Sequence, residues 1–187
     1  MTSVSPATPE KSTPVFSTGK VVAIVGLVVA GFFVFGSLFQ TNLLPVDSVA
    51  PSFALTQANG RETVSNADLR GEVVLVDFWA ISCPPCLREI EILKRLQTTY
   101  RSQRVSVVGI SVGGESPSEI GELAKDRDVN YRLLIDSDGI VSQNYRVEVL
   151  PTMYIIDRNG KIAASHSGFW PADELEATLK SILENNR

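Results

Sequence analysis

Residues 73–100 read VVLVDFWAISCPPCLREIEILKRLQTTY, and the order of features in this stretch decides the fold. Val73–Phe78 is a short, nearly continuous apolar run with β-branched residues, which suits a central strand covered on both faces. From Pro84 to Tyr100 the apolar residues Leu87, Ile90, Leu93 and Leu96 recur at threes, which predicts a helix. Glu89 and Glu91 stand early in it, where the helix dipole favours negative charge. Cys83-Pro84-Pro85-Cys86 falls where the strand gives way to the helix. The chain has no other cysteine, and two cysteines placed at random fall three apart roughly one time in ninety, so the spacing asks for a cause.

Position supplies one. A thiol at a helix N-terminus meets free backbone N–H groups and the positive end of the dipole, which stabilise its thiolate. Cys83 is then the candidate nucleophile, and Cys86, one turn in, the thiol that attacks the resulting mixed disulfide. Two plainer readings compete. A structural disulfide across three residues closes too small a loop to add much stability. A structural zinc needs four ligands, and the chain offers two cysteines and one histidine, His166, far along the sequence; a metal shared between chains is the remaining form of that reading. Pro84 and Pro85 carry no N–H, so the Cys86 N–H is the main donor left for the Cys83 thiolate. The expectation is a thiolate less stabilised than in a Cys-Gly-Pro-Cys loop, which biases the pair toward reducing others.

Working outward, Phe53–Gln57 and Arg61–Val64 suggest strands around the Asn59-Gly60 turn. Val105–Ser111 is a second buried strand. A helix starts at Pro117, with Ser116 and Glu119 as a capping box and the proline at the tolerated first position. Leu133–Asp136 and Thr152–Asp157 are further strands with a short helical turn at Ile140–Tyr145, then Lys161–Ser167 and a closing helix over Pro171–Glu184. Strand–helix–strand–helix followed by a hairpin and a helix predicts a three-layer α/β sandwich.

At the N-terminus, Val21–Phe39 is 19 residues without a charge. At the helical rise that spans about 28 Å, close to the ~30 Å hydrocarbon thickness of a bilayer. The run exceeds a signal peptide's apolar core, and Pro51 disfavours cleavage after Ser48-Val49-Ala50, so an uncleaved anchor is expected. The expected layout is a disordered cytoplasmic leader at 1–20, a transmembrane helix at 21–39, a tether at 40–48 and one domain at 49–187. Lys11 and Lys20 precede the span and nothing basic follows until Arg61, which places the N-terminus in the cytoplasm and the domain outside. Without Lys11, Lys20 and Glu10, the 17 basic and 21 acidic residues leave 15 and 20 for residues 47–187. That net charge of −5 argues against a nucleic-acid partner.

Val76-Asp77-Phe78-Trp79-Ala80-Ile81-Ser82-Cys83-Pro84-Pro85-Cys86 resembles the thioredoxin strand, active site and helix. Ala50-Pro51-Ser52-Phe53-Ala54-Leu55, Leu69-Arg70-Gly71, Leu150-Pro151-Thr152 and Tyr154–Gly160 extend the likeness. Over about residues 49–184 the chain is similar to membrane-anchored thiol:disulfide oxidoreductases of the TlpA/ResA kind. The resemblance implies a thioredoxin fold, a central mixed sheet flanked by helices, with an N-terminal β-hairpin and a strand–helix insertion near Gly113–Leu134. It implies a cis bond before Pro151, where an ordinary trans proline is the plainer reading, and a Leu150 backbone that pairs with extended substrate. Trp79 is expected under the cysteine loop, shielding it and contributing to the substrate site. Asp77 matches a buried thioredoxin aspartate, whereas TlpA/ResA-type chains often carry asparagine there. Glu89 matches a ResA glutamate near the active site; either acid is a candidate to accept the Cys86 proton, against the plainer reading of a solvated or structural acid. His166 is expected solvated on an edge strand, and Phe169-Trp170 packed rather than free for docking.

The implied activity is reduction of disulfides in client proteins, among them apocytochrome c, from the periplasm or an equivalent compartment such as a thylakoid lumen. A membrane electron donor of the CcdA/DsbD kind would restore the dithiol, with no cofactor and no metal. The alternatives are a disulfide oxidase or isomerase, told apart by redox potential, and a non-enzymatic binding module, whose function would survive loss of both cysteines. A thiol peroxidase is the weakest, because Phe78 stands five before Cys83 where the peroxidase pattern has proline.

Overall fold

The computed structural model describes residues 42–185. The leader and the membrane helix expected before residue 40 lie outside that range, and among the described residues no helix is long and apolar enough to cross a membrane. The strands are β1 (Ala54–Thr56), β2 (Thr63–Ser65), β3 (Val73–Trp79), β4 (Val105–Ser111), β5 (Arg132–Ile135), β6 (Thr152–Ile156) and β7 (Ile162–Ser167). The helices are α1 (Pro84–Tyr100), α2 (Pro117–Asp126), α3 (Ile140–Asn144) and α4 (Ala172–Asn185).

Five strands form one mixed sheet in the order β5-β4-β3-β6-β7. β3, β4 and β5 run parallel; β6 is antiparallel to β3 and β7 to β6. β3 is buried along its whole length, as its unbroken apolar run requires. Its even-numbered side chains Val74, Val76 and Phe78 join Phe53, Val64, Tyr145 and Tyr154 on one face. Val73 and Leu75 point the other way, onto Leu93 and Leu96 of α1 and Leu175 and Leu179 of α4. Asp77 and Trp79 share that second face by the two-residue alternation of a strand. This is the thioredoxin-like α/β arrangement, with the β1–β2 hairpin in front; residues 113–134, expected as a strand–helix insertion, hold a helix followed by a strand, α2 and the start of β5.

Both outer strands are partly covered, which removes open edges as templates for aggregation. The β1–β2 hairpin reaches β5 through the Ala58 N–H to the Leu133 carbonyl (2.9 Å). At the other edge, the Asp47 N–H donates to the Ile162 carbonyl (2.8 Å), and the Ile162 N–H to the Ser48 carbonyl (2.9 Å). This corrects the expected tether at 40–48: from Asn42 onward the chain is part of the domain. Leu43 and Leu44 pack on the core, and the Leu44 N–H donates to the Tyr154 hydroxyl (3.3 Å). Asp136 follows the end of β5, its N–H donating to the Ser111 carbonyl (3.0 Å), and its carboxylate accepts the Val141 (3.2 Å) and Ser142 (2.8 Å) N–H groups, satisfying orphan donors at the start of α3.

Candidate active site

β3 ends at Trp79 and α1 begins at Pro84, so Ala80–Cys83 must turn the chain from sheet to helix. The Cys83 N–H donates to the Ala80 carbonyl (3.2 Å), closing that turn. Cys83 is the N-cap of α1, with extended backbone, and its Sγ accepts the Cys86 N–H at 3.3 Å. That is the single donor expected once two prolines follow the cysteine. The two sulfurs are bonded at 2.01 Å. Cys86 is fully buried while Cys83 is half-exposed, so an incoming sulfur reaches only Cys83.

The Leu150–Pro151 bond is cis, as the resemblance implied. Thr152 pairs with Phe78, which places this bond at the same end of the sheet as the cysteine turn. Leu150 and Cys83 pack against one cluster containing Trp79 and Cys86. The Thr152 hydroxyl donates to the Val149 carbonyl (2.6 Å) and the Gly168 N–H to the Pro151 carbonyl (2.8 Å). Among the described residues no hydrogen bond engages the Leu150 N–H or carbonyl.

Beneath the pair lie two acids. Asp77 is 1% exposed, its Oδ1 has no partner, and it stands opposite Gly109 and Met153. Burial pushes its carboxyl well above the usual range, and the neighbouring charge of Glu89 adds to that. Glu89 is 0% exposed, which sets aside the solvated reading. Its Oε1 accepts the Trp170 N–H at 2.5 Å, and its Oε2 has no partner. Burial raises Glu89 to about 7, against the opposing pull of the Trp170 N–H and of Arg88. A carboxyl poised there exchanges protons near neutral pH. Tyr131 is held protonated by burial first, then by the charges of Asp77, Glu89 and Glu91.

Trp79 departs from the expected substrate contact. It is 2% exposed, and its indole Nε1 would lie 3.1 Å from a Cβ built on Gly109. With no surface to offer a client, it forms the floor beneath the cysteines. His166 lies on the outer strand β7, as expected, and is half-buried there, with its ring stacked on Trp170 at 4.8 Å and 21°. Trp170 is buried, whereas Phe169 is 36% exposed and carries the Arg88 guanidinium 5.3 Å over its ring.

Two contributors escaped the sequence reading. The Trp170 backbone is one; nothing in a sequence marks an N–H for a carboxylate 81 positions away. The other is Glu115, whose Oε1 accepts the Ile81 N–H at 2.6 Å and whose Oε2 accepts the Ser111 hydroxyl. A signal existed for Glu115, because loops after the carboxyl ends of parallel strands are where α/β sheets place their sites. Among the described residues no group of three or more His, Cys, Asp or Glu is arranged to hold a metal ion.

The comparisons with known proteins agree with this geometry. The profile of the AhpC/TSA family matches residues 46–165. The thiol-disulfide oxidoreductase ResA of Geobacillus kaustophilus is 30% identical over 162 residues, which are 86% of this chain and 92% of that one. ResA of Bacillus subtilis is 29% identical over 148 residues, 79% of this chain and 82% of that one. A crystal structure of a putative thiol:disulfide interchange protein DsbE from Chlorobium tepidum superposes with a TM-score of 0.69 at 31% identity, covering 75% of this chain and 99% of that one. The buried acids, the cis-proline loop and a half-exposed cysteine at a helix start thus have a common owner: the chain belongs to the AhpC/TSA family and is a thiol-disulfide oxidoreductase of the ResA/DsbE type.

Proposed function

We propose that this chain is the reducing partner of extracytoplasmic client proteins, held to a membrane by the apolar run at 21–39. The observation that carries the direction of electron flow is the Cys83 cap, where the Cys86 N–H at 3.3 Å is the one backbone donor to the sulfur. A thiolate with one donor is less stabilised, and a dithiol whose reduced form is less stabilised gives its electrons up more readily.

The Cys83 thiolate attacks one sulfur of a client disulfide; that S–S bond breaks and the client's other sulfur leaves as a thiolate. The Cys86 thiol passes its proton to Glu89, one helical turn on, and the resulting thiolate attacks the Cys83 sulfur. The mixed disulfide breaks, the second client thiolate departs, and the chain is left with the Cys83–Cys86 disulfide. Two electrons have moved from the chain to the client. Asp77, held protonated above Glu89, keeps the pair from carrying two buried charges at once. The Leu150 backbone pairs with an extended client segment beside Pro151. Apocytochrome c is the client class that the ResA resemblance suggests, and a membrane carrier of the CcdA/DsbD kind returns the electrons.

Cys86→Ala tests this directly, because the mixed disulfide on Cys83 then has no resolving thiol. Mass spectrometry of trapped species is expected to find client or donor cysteines joined to Cys83, with none on Cys83→Ala. A Cys83–Cys86 potential near about −120 mV, that of strong periplasmic oxidants, would overturn the reducing direction. Labelling of Cys83 in intact cells by a membrane-impermeant thiol reagent tests the location.

A further inference from the structure

The turn between β3 and α1 has few ties of its own. Sheet pairing of β3 with β4 ends at Trp79 opposite Ser111, and the last backbone link is the Val112 N–H to the Trp79 carbonyl (3.0 Å). Beyond it, Pro84 and Pro85 have no N–H to give, and within the turn the Cys83 N–H reaches only the Ala80 carbonyl. Among the described residues, one side chain of another element is hydrogen-bonded to this turn: Glu115, through the Ile81 N–H at 2.6 Å, the other contacts being apolar packing of Ile81 and Cys83. Its second oxygen is fixed in turn by the Ser111 hydroxyl, at the end of β4. The carboxylate also fills space that only glycine leaves open. A Cβ on Gly113 would collide with Glu115 Oε1 and lie 2.8 Å from the Ala80 Cβ.

From this geometry we infer that Glu115 is a positioning residue for the dithiol: by clamping Ile81 to the end of β4 it sets Cys83 at the start of α1, within reach of Cys86. The inference rests on the thiol-exchange reading and adds to it the residue that tunes the couple. The couple takes two electrons and two protons to convert the Cys83–Cys86 disulfide into two thiols, supplied in a test by two glutathione molecules that become glutathione disulfide. Releasing Ile81 widens the range of Cys83 positions, so the two sulfurs meet less often and the disulfide becomes easier to reduce. The same release takes the Cys83 sulfur off the Cys86 N–H, so its thiol pKa rises. That alone favours the disulfide, so the equilibrium is read at a pH below the thiol pKa, where the reduced pair is already protonated and only the looser turn moves it. A staple acting on the fold alone would lower the melting temperature and leave both quantities unmoved.

The test equilibrates the full-length protein with glutathione buffers and reads the dithiol fraction, alongside titration of the Cys83 thiol. Glu115→Ala is expected to shift the equilibrium about tenfold toward the dithiol, ~30 mV for this two-electron couple. Glu115→Gln keeps an acceptor for Ile81 and a donor for Ser111, and is expected to stay within about twofold of wild type. Gly113→Ala, which displaces the carboxylate without removing it, is expected to move the same way as Glu115→Ala. It carries the test by itself should Glu115→Ala not fold. An equilibrium unchanged in both Glu115→Ala and Gly113→Ala would overturn the proposal, as would a shift in Glu115→Gln as large as in Glu115→Ala, which would assign the effect to charge. A wild-type chain that fails to equilibrate with glutathione would overturn the thiol-exchange reading itself, and this inference with it.

Discussion

The two faces of the central sheet are built to different ends. On the face bearing Val74, Val76 and Phe78, three rings meet: Phe78 and Tyr145 at 5.1 Å, Tyr145 and Tyr154 at 5.3 Å, Phe78 and Tyr154 at 6.4 Å. Their polar ends are satisfied, since the Tyr145 hydroxyl donates to the Pro51 carbonyl (2.9 Å) and the Tyr154 hydroxyl to the Tyr145 carbonyl (2.6 Å). On the opposite face, with α1, three buried side-chain polar atoms have no partner among the described residues: Asp77 Oδ1, Trp79 Nε1 and Glu89 Oε2. An unsatisfied buried polar group costs about 1–3 kcal/mol, so the second face surrenders stability that the first retains. Trp79 packs in one cluster with the two cysteines, Glu89 follows Cys86 by three positions on α1, and Asp77 is electrostatically coupled to Glu89. The two carboxyls among them, Asp77 and Glu89, are free to change protonation when Cys86 does, and a fully bonded pair of acids would resist that change.

This contrast can be broken in several ways. The largest effect is on turnover: Cys83→Ala is expected to abolish disulfide exchange while leaving the thermal midpoint of the aromatic face in place, measured with a model disulfide and by calorimetry. Phe78→Ala is expected to act the other way round, costing about 3–5 kcal/mol in denaturant unfolding because it empties a fully buried site. The potential of the folded fraction should hold. Glu89→Gln sharpens the comparison. Glu89 ionises at 4.5 when exposed in the unfolded chain and near 7 in the folded one, so the folded state holds its proton more tightly. The stability this confers is complete below the unfolded value and is lost as pH rises through about 7. Removing the charge is therefore expected to stabilise the protein by about 2 kcal/mol at pH 8, and to add nothing near pH 4. Last, Tyr145→Phe is expected to cost only about 1 kcal/mol, through one neutral hydrogen bond, with no change in the potential.

The doubly buried strand β3 and the frame of the α1 face were legible in the residue order. Helix α1 runs Pro84–Tyr100 as expected, because its cap, its prolines and its leucines are all local signals. The Ser116–Glu119 capping box is present for the same reason. What escaped depends on partners distant in sequence. Glu89 reads as a candidate proton acceptor one turn after Cys86, but its burial becomes visible only once the fold brings the Trp170 N–H to its carboxylate. Trp79 reads as a shield packed under the cysteine loop, and what the residue order hides is Gly109 on the neighbouring strand, which opens the slot for its indole. Leu43 and Leu44 read as tether until the Tyr154 hydroxyl is there to receive the Leu44 N–H. Glu115 reads as one more acid in a loop, and only the end of β3 gives it a purpose.

The claim that the α1 face exists to move a proton is tested most directly by the rate at which Cys86 resolves a preformed mixed disulfide on Cys83, measured as a function of pH. Proton acceptance by Glu89 requires a wild-type rate that rises with an apparent pKa near 7, the value burial gives that carboxyl, and a Glu89→Gln rate that loses this inflection and is slower above it. Identical pH profiles for wild type and Glu89→Gln would contradict it, and would leave the buried acids as structure alone.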